Sequence, residues 1–119
     1  MRIDVVLKRF DKPDETRDMI KGRFEIVRLA GVTIGRATYE PGWRWSDHVG
    51  PALGERRCSV EHVGLVLAGV AAVGFDDGRV VELRPGDLFS IPPEPHDSWV
   101  IGGEEYVSLH FLGAEHYAR

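Results

Sequence analysis

The chain has 119 residues, with 15 Lys and Arg against 19 Asp and Glu, a formal net charge of -4 and one cysteine. That length fits one domain with its own core, needing no metal or disulfide staple to fold, and no stretch gathers basic side chains on one face, so nucleic acid and anionic membrane are poor partners. The lone Cys58 cannot close an intramolecular disulfide, and MRIDVVLKRF lacks the apolar run of a signal peptide or a membrane span, which predicts a cytoplasmic protein.

In chain order, FDKPDETRDMIKG (Phe10 to Gly22) is polar and carries a proline, so it reads as a connection with at most one helical turn. RFEIVRL (Arg23 to Leu29) and VTIGRATYE (Val32 to Glu40) alternate apolar and polar residues around Ala30-Gly31, the pattern of a half-buried antiparallel hairpin. PGWRWSDH (Pro41 to His48) follows, reading as a further strand with two tryptophans and a histidine. CSVEHVGLVLAGVAAVGF (Cys58 to Phe75) breaks at Gly69, and then come the turn DDG, the strand RVVEL, the turn RPGD and LFSIPP. EYVSLHFL (Glu105 to Leu112) is the last predicted strand, and GAEHYAR after it reads as loosely held, with His116 solvated. Short strands punctuated every eight to twelve residues predict an all-β sandwich or barrel. One domain over 1–119 is expected, with a core over about 23–112 and an N-terminal strand and connection over 1–22.

The punctuation resembles the cupins, which are double-stranded β-helix (jelly-roll) barrels. Their first motif runs Gly, five residues, His-x-His, a short spacer, Glu, six residues, Gly. In this chain Gly42 is followed by five residues and His48, Gly50 stands where the second histidine belongs, and His62, with six residues between it and Gly69, stands in the place of the glutamate. In the second motif Gly86, five residues and Pro92 agree, His96 comes one residue early, Glu94 replaces a glycine and Val100 replaces the asparagine. The string PGWRWSDH, VLAG, DDG, PGD, IPPxxHDxW also resembles small single-domain bacterial cupins. The resemblance implies a jelly-roll fold, a homodimer and a metal held by His48, His62 and His96 from three predicted strands.

A first-row divalent metal takes neutral imidazoles at about 2 Å. Three histidines without a fourth protein ligand leave coordination positions open for water or substrate. Zinc, iron, nickel and manganese all fit that set. Strand alternation places Cys58, Val60, His62, Gly64 and Val66 on one face, and Tyr106, Ser108 and His110 on one face of the last strand. Gly64 would leave room beside His62, His110 is a candidate neighbour of the site, and Trp45 and Trp99 are expected as pocket walls because each flanks a candidate ligand. Cys58 reads as a small buried hydrophobe. Asp47 and Asp97 are candidate acceptors for imidazole N–H groups.

The leading functional reading is a metal-binding cupin with a small-molecule pocket, possessing oxygen, isomerisation or hydrolytic chemistry if it is an enzyme. The alternatives are a binding or sensing cupin that has lost its metal, and a structural dimer.

Overall fold

A computed structural model describes residues 4–118; Met1 to Ile3, the start of the expected N-terminal strand, lie outside the described residues. Nine strands are found there: β1 (Glu15–Met19), β2 (Gly22–Leu29), β3 (Val32–Tyr39), β4 (His62–Ala68), β5 (Val70–Phe75), β6 (Val80–Leu83), β7 (Leu88–Ile91), β8 (His96–Ile101) and β9 (Tyr106–Leu112). Two one-turn helices, α1 (Trp45–His48) and α2 (Gly50–Leu53), lie between β3 and β4. Every strand pairing is antiparallel. The larger sheet runs β1-β2-β3-β9-β4-β7 and the smaller runs β6-β5-β8. The arrangement is an all-β jelly roll, within the sandwich-or-barrel class that the turn spacing predicts and of the kind that the cupin resemblance implies.

The hairpin β2–β3 turns at Ala30 and Gly31, both at positive φ (50° and 76°), which is the two-residue turn whose twist matches the flanking strands. Gly69, at φ 72°, lets β4 pass directly into β5 and so carries the chain from the large sheet to the small one. Between the sheets lie Phe24, Ile26, Trp43, Val66 and Ser108, all at most 2% exposed. The inward face of β4 is His62, Gly64 and Val66, and that of β9 is Tyr106, Ser108 and His110. Alternation therefore turns the polar side of β9 to the interior and leaves Val107 and Leu109 half-buried outside.

Three expectations need correction. The polar connection contains β1, an edge strand paired to β2 from Glu15↔Ile26 to Met19↔Gly22. Its charged residues are those an exposed edge carries to avoid pairing with other chains, so it lacks the apolar period that marks an inner strand. PGWRWSDH forms α1 rather than a strand, apart from one bridge between Arg44 and Trp99. Asp97 stabilises that turn: its carboxylate accepts from Ser46 N, Ser46 Oγ, Ser98 N and Arg44 Nη1, so it is no acceptor for an imidazole.

The C-terminal segment is not loose. Ala114 and Tyr117 are buried, and the Tyr39 and Tyr117 hydroxyls bond at 2.6 Å. Arg17 Nη1 donates to the carbonyls of Ala114 and Tyr117, while Arg28 pairs with Glu115 at 2.6 Å. His116 is exposed. Among the described residues, no helix is long and apolar enough to cross a membrane.

Candidate functional site

Cys58, outside the regular strands, faces His96, the first residue of β8, across an isolated antiparallel bridge, with Cys58 N to His96 O at 2.9 Å and His96 N to Cys58 O at 3.0 Å. This reciprocal pair puts the two side chains side by side at the end of the small sheet. Four residues on, His62 opens β4 on the large sheet, where it pairs with Ile91, and its Nε2 lies 3.6 Å from Cys58 Sγ. One ligand atom from each of Cys58, His62 and His96 falls within 4.8 Å of the others, and all three residues are buried. Both sheets thus contribute donors to one point.

The donor geometry suits a metal. Two legs of about 2.3 Å (metal–sulfur) and about 2.05 Å (metal–nitrogen) at a tetrahedral angle span roughly 3.6 Å, which matches the Cys58–His62 separation. His96 Nδ1 lies 2.9 Å from the carbonyl oxygen of Glu94. A carbonyl only accepts, so Nδ1 carries the proton and Nε2 keeps its lone pair for a ligand bond, the outer hydrogen bond fixing ring and tautomer together.

Burial keeps the group neutral. It pushes the Cys58 thiol up to about 11 and His62 down to about 2, with His110 and His96 adding to the second shift. His110 falls to about 4 through burial alone, and His96 is lowered for the same reason. A bound cation reverses the penalty on the thiol, because it compensates the thiolate charge in place of water.

A cavity of about 40 Å³ adjoins the cluster. Tyr39, Trp43, Trp45, Phe89, Tyr106 and Tyr117 form its aromatic wall, and Ser98, Ser108 and His110 add polar groups. Trp43 stacks flat on Tyr39 at 3.8 Å. His110 lies 5.3 Å ring to ring from His62, and its Nε2 is 3.0 Å from Ser108 Oγ. Among the described residues, the buried side-chain nitrogens without a hydrogen-bond partner are Trp43 Nε1, Trp45 Nε1, His62 Nδ1 and His110 Nδ1.

The residues expected at the site divide. His62 and His96 come together, and Trp45 and His110 line the cavity. His48, expected as the first ligand, is elsewhere: it ends α1, where Arg44 N donates to its Nδ1 at 2.9 Å and folds the ring back on its own turn. Trp99 is on the outer face of β8 under the Arg44 guanidinium, 4.5 Å away, and is not in the cavity lining. Gly64 provides no open space. A Cβ there would stand 2.2 Å from Leu109 O and 2.6 Å from Phe89 Cζ, at a register shift between β4 and β9, so this glycine serves close packing. Gly50, in the place of a family histidine, is likewise enclosed, its notional Cβ 2.3 Å from Glu55 O and 2.9 Å from the Trp45 ring. Cys58 is the donor that the motif count missed; alternation grouped it with His62 in the sequence, but it lies outside β4 and is placed by its bridge to His96, which leaves no local signal.

No protein-family model and no curated protein matches the sequence. Solved structures do match. A cupin superfamily protein from Desulfitobacterium hafniense is 16% identical over 85% of this chain and 81% of that one, with a TM-score of 0.51. Procruciferin, an 11S globulin from Brassica napus, gives 0.62 at 18% identity, over 89% of this chain and 30% of that one. The oxalate decarboxylase of Lactobacillus farciminis, a formate complex, gives 0.58 at 18% identity over 83% of this chain and 30% of that one. With its two antiparallel sheets, the chain is a small protein of the cupin fold.

Proposed function

We propose that this protein is a metal-dependent cupin in which Cys58, His62 and His96 hold one divalent ion beside a small-molecule cavity. The observation that carries the reading is the convergence of a buried thiol and two buried imidazoles, one of them already oriented by Glu94 O. Zinc is favoured. A soft sulfur donor with two imidazoles suits zinc or iron better than manganese, which prefers oxygen donors. Three protein ligands leave a position for a small molecule, the pattern of a catalytic rather than a closed structural site. A zinc ion there would supply Lewis acidity toward an oxygen ligand.

The chain's own residues determine what reaches that position. The aromatic wall makes the position largely apolar and the cavity admits only a small guest, and among the described residues no charged side chain lines it, which disfavours large polyanions. Hydrolysis or isomerisation of a small substrate fits these limits. A homodimer is part of the proposal: Val80, Val81 and Leu88 are 57%, 52% and 77% exposed on β6 and β7, each at an edge of its sheet.

Metal analysis of protein purified without a histidine tag, after supplementation with zinc, iron, nickel and manganese, tests the reading. About one equivalent of zinc or iron is expected. Less than about 0.2 equivalent of any metal, with the fold intact, would overturn it.

A further inference from the structure

The four buried nitrogens without partners, Trp43 Nε1, Trp45 Nε1, His62 Nδ1 and His110 Nδ1, all belong to residues lining the same cavity. Leaving such a group unsatisfied in the interior is costly, because it gives up its hydrogen bonds to water and gains none, and native structures carry few of them. Four on residues that line one cavity point to a place where a guest, with a small shift of the rings, completes the hydrogen bonding. The donor types then specify the guest. An indole N–H can only donate, so Trp43 and Trp45 require acceptors. Neutral imidazole nitrogens can add either a donor or an acceptor.

Charge and size narrow the class further. Among the described residues the lining includes no Lys, Arg, Asp or Glu, so a cationic guest would meet N–H donors with no carboxylate to balance it. The volume of about 40 Å³ holds about three water-sized groups, at roughly 10–15 Å³ for each. We propose that the cavity binds an oxygen compound of no more than about four non-hydrogen atoms, bearing carbonyl or carboxylate acceptors and no positive charge, and that the Trp43 and Trp45 indole N–H groups recognise its oxygens. A neutral carbonyl needs only these donors. A monoanion additionally needs the positive charge of the metal, and for that case alone the inference rests on the metal reading.

The three tryptophans make the test internal. Trp99, stacked on Arg44 outside the lining, is the control for Trp43 and Trp45. Indole N–H signals of nitrogen-15-labelled protein, assigned with Trp43→Phe and Trp45→Phe, are followed during titration with formamide, acetate, methylammonium and glucose. Formamide in metal-free protein, and acetate in zinc-loaded protein, should shift the Trp43 and Trp45 signals saturably and leave Trp99 in place. Methylammonium and glucose should move none of the three, and Trp45→Phe should weaken formamide binding on the order of tenfold. The inference is overturned if no signal moves, if all three move together, or if methylammonium acts like formamide. Formamide shifts in a chain that takes up no zinc would sink the metal reading alone; zinc uptake with no formamide shift would sink this inference alone.

Discussion

The Pro41–His48 and Cys58–His62 segments both reach the cavity, and they bring different things to it. The first delivers flat apolar surface, through Trp43 and Trp45, while its histidine is tied back to Arg44. The second delivers sulfur and nitrogen donors, although its cysteine lies in no regular strand. Motif spacing marks the first segment as the ligand carrier, yet backbone direction decides the matter. A residue ending a helical turn points along that turn, whereas a residue bridged across two strands points into the space between the sheets. Wall and chemistry are therefore separable, and variants should separate them.

The largest stability loss should follow Trp43→Ala, which removes a ring 2% exposed and stacked on Tyr39. A loss of about 3–5 kcal/mol is expected from large-to-small replacement in a core, read by urea unfolding. Metal stoichiometry should hold below the transition. Gly64→Ala should cost about 1–3 kcal/mol by overpacking, since its Cβ would run into Leu109 O. If the variant is as stable as the parent, the glycine is open space after all. Tyr117→Phe leaves the Tyr39 hydroxyl without its partner in the interior and should cost roughly 1–3 kcal/mol; a neutral result would return the C-terminal segment to the loosely held state read from its sequence.

The smallest effect should be at Glu115. Arg28 and Thr33 hold its carboxyl down to about 2 from the usual 4.5. The folded state therefore binds fewer protons than the unfolded one between those values, so the stability Glu115 adds is complete above 4.5 and lost as pH falls through about 2. Being a largely exposed pair, it adds little even when ionised. Glu115→Gln should lower the melting temperature slightly near neutral pH and not at all in strong acid. A difference that grows on acidification would contradict this.

The architecture was legible in the sequence because strand alternation and turn residues are local signals. The β2–β3 hairpin and the break at Gly69 follow from a few adjacent residues each. The same alternation grouped the faces of β4 and β9 correctly, but that the polar face of β9 is the inner one comes from the packing. Trp99 illustrates what alternation shows and adjacency hides: three residues after His96 on one strand, it must take the opposite face. His48 was misplaced for a different reason. Its environment depends on Asp97, far away in sequence, which stabilises the α1 turn, and on Arg44 N, which occupies the ring. Cys58 joins the site through pairing with His96, and no local pattern announces a single bridge. The edge strand β1 was hidden because its charged residues lack the apolar period of an inner strand, and the buried Tyr117 because its partners Tyr39 and Arg17 lie far back in the chain.

The central claim is that sulfur from Cys58, and not a third imidazole from His48, completes the donor set. Cobalt(II) substitution reads this directly, because thiolate ligation gives an intense near-ultraviolet charge-transfer band that imidazole ligation lacks. The band should appear on adding one equivalent of cobalt to the parent chain, persist in His48→Ala, and vanish in Cys58→Ser. A cobalt complex without the band, or one abolished by His48→Ala, would contradict the account.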